Sequence, residues 1–115
     1  MLEAYVGTIR HNSQVPGLVQ LFARLSAEAT DPESLAHEYF ATRYATLREY
    51  IAASIRAMQS GGTLAADVDA DAVARIFIAV SDGLQTQWLI EPNFEMADVM
   101  TYLANQLGLG HAAGA

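Results

Sequence analysis

At 115 residues with no cysteine, the chain is about one domain of polypeptide, without a disulfide framework or thiolate chemistry. A formal charge of −7, with every basic residue an arginine, opposes binding to a phosphate backbone, and neither a leader segment nor a run of about 18 apolar residues is present to engage a bilayer; a cytoplasmic protein is expected. Hydrophobic residues make up 52% of the chain, more than a lone core of this size needs, which calls for a covered outer face, an apolar cavity, or both.

Abundant alanine and few β-branched runs favour helices throughout. Residues 2–12 are predicted as a short helix with Leu2, Tyr5, Val6 and Ile9 on one face. Pro16 suits the first turn of a second helix, in which Leu18, Leu21, Phe22, Leu25 and Ala29 follow at helical spacing; Phe22 fits either a core or a pocket wall. Asp31, Pro32 and Glu33 read as cap, first position and first-turn anion. They predict a third helix from Pro32 to Ser60, stopped by Gly61 and Gly62. Its stripe is Phe40, Tyr44, Leu47, Ile51, Ile55 and Met58, flanked by Tyr39, Arg43 and Tyr50. Arg43 fits two places, the polar edge of an aromatic-lined cavity or the solvent with its stem along the helix.

Asp67, Asp69 and Asp71 invite a calcium loop, but the sixth and twelfth positions of that loop would be Ala72 and Ile78, where a glycine and a carboxylate are needed. The aspartates instead suit the start of a helix over 69–91, with Asp71 spaced to meet Arg75. This helix has two apolar faces. Val73, Ile76, Phe77, Val80, Leu84 and Trp88 suit packing on the chain's own core. Ala72, Ile76, Ala79, Gly83, Thr86 and Ile90 form a heptad-like seam of mostly small residues, expected to meet a second copy; the alternative is a helix buried inside one monomer. Pro92 follows, and Asn93 is expected to cap a last helix from Phe94 to Leu107, with Met96, Val99, Met100, Leu103 and Leu107 as its stripe. Gly108 ends it, and residues 110–115 read as a frayed tail.

Reactive constellations are missing from the sequence. There is no glycine-rich phosphate loop, no G-x-S-x-G and no H-E-x-x-H. Glu33 and His37 stand one helical turn apart, but a metal site needs three or four ligands, and the histidines at 11, 37 and 111 are scattered. No catalytic residue, metal or cofactor is expected, and the chain is not expected to be an enzyme.

The segments Pro16-Gly-Leu-Val-Gln-Leu-Phe, Ser26-Ala-Glu-Ala-Thr-Asp-Pro and Arg43-Tyr-Ala-Thr-Leu-Arg, then Gly62 with Asp67-Val-Asp, then Ala79-Val-Ser-Asp-Gly-Leu-Gln-Thr-Gln-Trp-Leu with Pro92 and Met96, occur in an order that resembles the C-terminal half of tetracycline-repressor-like (TetR) transcriptional regulators, over roughly residues 2–107. The resemblance implies an all-α bundle of about five helices. The last two would form a four-helix bundle with a second copy, so that Met96, Val99, Met100, Leu103 and Leu107 join the seam in a homodimer interface. It also implies a pocket for an apolar small-molecule effector, with Phe22, Phe40, Tyr44, Leu47, Val80, Leu84 and Trp88 as walls and Arg43 and Tyr50 as polar contacts. The family's helix-turn-helix reader does not appear, so residues 1–115 are expected to be one ligand-binding and dimerisation domain of a longer protein, with operator DNA a partner only through an N-terminal domain outside this chain. Two other classes compete with this one. A ligand-free, all-helical homodimeric interaction module would pack Trp88 against Tyr44 with no cavity, and a small enzyme would gather polar groups around His37 and Glu33.

Overall fold

Helical spacing of apolar residues becomes helix at each predicted place. The computed structural model describes residues 2–109 and, among these, contains five helices and no strand. They are α1 (Leu2–Ser13), α2 (Leu18–Glu28), α3 (His37–Ser60), α4 (Ala70–Ile90) and α5 (Met96–Gln106). The predicted tail at 110–115, with His111, lies outside the described residues. None of the described helices is long and apolar enough to cross a membrane.

Three helix starts differ from expectation, each for a local reason. α2 begins at Leu18 rather than Pro16, because Gly17 takes a left-handed φ of 78° as N-cap, a conformation that suits glycine. The third helix begins at His37, five residues after Pro32. The Asp31 carboxylate accepts the Glu33 N–H at 2.9 Å, and the Ser34 hydroxyl accepts the Ala36 N–H at 3.2 Å. Both side chains thereby stabilise tight turns instead of a helix, and Leu35, fully exposed, offers no packing to favour one. α5 starts at Met96 rather than Phe94, since the Asn93 N–H turns back to the Glu91 carbonyl at 2.9 Å and Glu95 becomes the N-cap.

The start of α4 is as expected: Asp69 caps it, accepting the Ala72 N–H at 3.0 Å. Asp71 does not pair with Arg75. Its two oxygens accept Arg56 of α3 at 2.9 Å each, because the antiparallel α3 brings that guanidinium opposite. Glycines close the helices. Gly62 (φ 80°) lets the Thr63 N–H reach the Met58 carbonyl at 3.0 Å, and Gly108 (φ 78°) lets the Leu109 N–H reach Ala104 at 2.7 Å, both bonds of the Schellman type. The second turn tucks Leu109 into the core. Between α3 and α4, the Gln59 amide donates to the carbonyls of Ala65 (3.0 Å) and Val68 (2.8 Å), fastening the loop to the end of α3.

α4 is the central helix, packed against α2, α3 and α5, and its contact with α3 is the most extensive in the molecule. Phe77, Ile51, Ile55, Met100 and Leu2 are fully buried, and burying each such side chain contributes roughly 1.5–3 kcal/mol. The molecule is flat, 42 × 33 × 17 Å. One side of α4 is uncovered. Ala72, Ile76, Ala79, Gly83, Thr86 and Ile90 are all exposed, with Ile76 at 46% and Ile90 at 74%. On α5, Met96 and Met100 face the chain's own core instead, while Val99, Leu103 and Leu107 are half-buried beside it.

Candidate functional site

Residues of α1, α2, α3 and α4 spaced by three and four converge on a cavity of about 340 Å³. From α1 come Ala4, Tyr5, Thr8, Ile9 and Asn12; from α2, Val19, Phe22 and Ser26; from α3, Phe40, Arg43, Tyr44, Thr46, Leu47 and Tyr50; from α4, Ser81, Asp82 and Gln85. Met96, the first residue of α5, closes one side.

One wall is aromatic. Phe22 and Phe40 meet edge to face with centroids 6.2 Å apart, and Phe40 is 6.2 Å from the tilted Tyr44 ring. The Arg43 guanidinium lies 5.0 Å above the Phe22 ring, within the range of a cation–π attraction. Of its two expected places, Arg43 takes the edge of the aromatic-lined cavity.

Other parts of the lining are polar. The Tyr44 hydroxyl donates to Asp82 Oδ2 at 2.5 Å, joining α3 to α4. Burial pushes the Asp82 carboxyl above its ordinary value, against the opposing effects of the Tyr44 hydrogen bond and the Arg43 charge. Tyr44 is pushed up to about 12 by burial and by the hydrogen bond to and charge of Asp82. Tyr5 is raised too, by burial, although a hydrogen bond with Ser81 opposes the shift. Both phenols therefore stay protonated at neutral pH.

The Asp82 shift has a defined sign in stability. A carboxyl that binds its proton more tightly when folded stabilises the fold below its ordinary 3.8, and that contribution is lost as pH rises through the raised value. Relative to the wild type, Asp82→Asn should therefore be more stable at about pH 7 than at about pH 3, read from urea midpoints at the two pH values. A wild-type-minus-variant difference that is flat in pH would show that this carboxyl does not carry the dependence.

Of the residues expected in a pocket, Phe22, Phe40, Arg43, Tyr44, Leu47 and Tyr50 line the cavity. Val80, Leu84 and Trp88 do not: Leu84 is buried in the core, and Val80 and Trp88 are half-buried against it. The part of α4 that faces the cavity is Ser81, Asp82 and Gln85, between its two apolar faces. These residues, with Tyr5 and Asn12, are not among the pocket residues to which the sequence points. Ser81 had a legible signal, since it stands four residues after Phe77 and three before Leu84, a polar residue in phase with the core, and it is 7% exposed. His37 and Glu33 form no polar cluster. The His37 Nδ1 donates to the Ala29 carbonyl at 2.8 Å and Glu33 is exposed, and the described residues contain no group of three or more His, Cys, Asp or Glu side chains placed to hold a metal.

Residues 3–108 match the family model described as the BetI-type transcriptional repressor, C-terminal. No curated protein and no solved structure matches the chain.

Proposed function

We propose, from the premise that this chain belongs to the C-terminal domain family of BetI-type transcriptional repressors, a branch of the TetR regulators, that it is a homodimeric effector-sensing domain. Its occupancy by a small molecule is passed to a DNA reader in an N-terminal part of the parent protein. The supporting observation is the interleaving of two surfaces on two turns of α4. Ser81, Asp82 and Gln85 line the cavity, while Ala79, Gly83 and Thr86 between and beside them are exposed on the other side.

An effector with an apolar body lies against Phe22, Phe40, Tyr44 and Leu47, with Arg43 and Tyr50 at its polar edge. A second copy covers Ala72, Ile76, Ala79, Gly83, Thr86 and Ile90, joined by Val99, Leu103 and Leu107 of α5. A ligand that favours one placement of α4 biases how the two copies meet, and the separation of two readers on a duplex follows from how their carriers meet. Operator DNA is contacted by the readers alone, in keeping with the acidic charge of this chain. A ligand-free interaction module needs a filled interior with Trp88 on Tyr44; a cavity lined by Tyr44 and not by Trp88 weighs against it.

Light scattering after size exclusion, paired with a thermal-shift screen of apolar and aromatic small molecules, tests both halves. The expected result is a mass twice the 12.4 kDa of one chain, with a melting temperature raised by at least one compound. A ligand present at a hundred times its Kd adds about 2.7 kcal/mol to apparent stability. A monomer at high micromolar concentration would refute the dimer, and a screen without hits would refute the sensor.

A further inference from the structure

We infer that the cavity takes a ligand bearing a protonated primary or secondary amine, with the Asp82 carboxylate as its acceptor. This rests on the effector-pocket function proposed above and names the ligand class. Asp82 lines a cavity whose other walls are largely aromatic and aliphatic. A carboxylate offers about four acceptor positions, and the Tyr44 hydroxyl takes one of them. Among the described residues, the ion pairs are those of Arg10 with Glu95 and Asp98 and of Arg56 with Asp71, so no protein cation is paired with Asp82. Arg43 affects it through its field, but its guanidinium lies over Phe22.

A partly desolvated anion without a cation is an unfavourable arrangement that an incoming ammonium offsets. The raised carboxyl affinity of Asp82 for its proton reflects the same deficit. The ionisable groups coupled to it are Tyr5 from α1 and Arg43 and Tyr44 from α3, and Tyr50 of α3 also lines the cavity; α2 contributes only Val19, Phe22 and Ser26 to the lining, and α5 only Met96. Tyr5 and Tyr44 are neutral at neutral pH and their ring faces favour a nearby cation. Among the described lining residues the single opposing charge is Arg43. An anionic ligand would meet Asp82 in the same cavity, and of those residues only Arg43, already stacked, could receive it. The need for an N–H follows from the acceptor, because carboxylate oxygens form short charge-assisted bonds to N–H donors that a fully substituted ammonium cannot make. The net charge of −7 draws cations toward the whole molecule.

Calorimetric titration of the chain at neutral pH with three probes of one shape tests this: phenethylamine, 2-phenylethanol and trimethyl(2-phenylethyl)ammonium. Phenethylamine is expected to bind about tenfold or more tighter than either of the others, the size of a charge-assisted hydrogen bond. Asp82→Asn should abolish that preference, so that the amine binds no tighter than the alcohol. Should that variant not fold, Tyr44→Phe keeps the carboxylate and the ring, and must keep the preference. Equal binding of amine and alcohol, or of amine and quaternary ammonium, overturns the amine inference and leaves the effector pocket standing. No binding by any probe, together with a compound screen without hits, overturns both.

Discussion

Gly83→Arg is expected to run as a monomer that is still fully helical. Gly83 lies in the middle of α4, exposed, and a Cβ built there meets nothing within 4 Å. The isolated chain therefore has open space at this position. It should even gain, because glycine inside a helix is about 0.8–1.0 kcal/mol less favourable than alanine and arginine is close to alanine. In the proposed dimer the same change is severe. A two-fold axis sets each patch against its own counterpart, so two guanidinium groups would enter a seam of small residues, like charges facing each other without partners. Scattering mass near the 12.4 kDa of one chain, with unchanged far-ultraviolet circular dichroism, is the expected outcome. A dimer that persists would remove Gly83 from any interface and with it the proposed route from cavity to partner.

Phe77→Ala should have the opposite profile, weakening the fold itself and not the assembly alone. Phe77 has no exposed surface and sits at the centre of the core cluster. Truncating a phenylalanine in such a place costs about 3–5 kcal/mol, against a total stability of about 5–15 kcal/mol for a domain. Its neighbour Ile76 is 46% exposed, and Ile76→Ala should cost the isolated chain less than about 1 kcal/mol. Urea midpoints of the two variants, compared at a concentration low enough to hold both as monomers, check the orientation of α4. Similar midpoints for the pair would mean that Ile76 is buried in the single chain and that the helix is turned differently about its axis.

Helix order and helix ends were readable where the signal and the packing agree. Asp69 is such a case, a cap followed by residues that bury their side chains. Asp31 shows why the same signal misleads elsewhere. Its carboxylate is satisfied by Glu33 two residues on, and with Leu35 pointing to solvent no burial favours a helix over that turn. Asp71 illustrates a second limit: spacing along one helix put Arg75 within reach, but the tertiary neighbour Arg56 was invisible until α3 and α4 were laid antiparallel. In the cavity the aromatic half was legible because Phe22, Phe40, Tyr44 and Leu47 repeat at helical intervals. The polar half was not, because Asp82 carries no periodic mark and reads as a solvent residue; only the Tyr44 hydroxyl across the helix pair gives it an inward role. Ile76 belonged to both apolar stripes on paper, and three dimensions assign it to the open one.

Gln59 gives the pair α3 and α4 a lever's geometry. Its amide fastens the connecting loop at one end of the pair; at the other end the His37 ring is held to the Ala29 carbonyl, while Ile90 of α4 is exposed. At about 1.5 Å per residue, Asp82 lies roughly 18 Å and Ile90 roughly 30 Å from the fastened start of α4. A tilt of about 5° around that fulcrum moves Asp82 by about 1.6 Å and Ile90 by about 2.6 Å. In such a tilt a displacement at the cavity as small as a lengthened hydrogen bond to Tyr44 would be larger at the helix tip, and the proposed seam lies along the same helix.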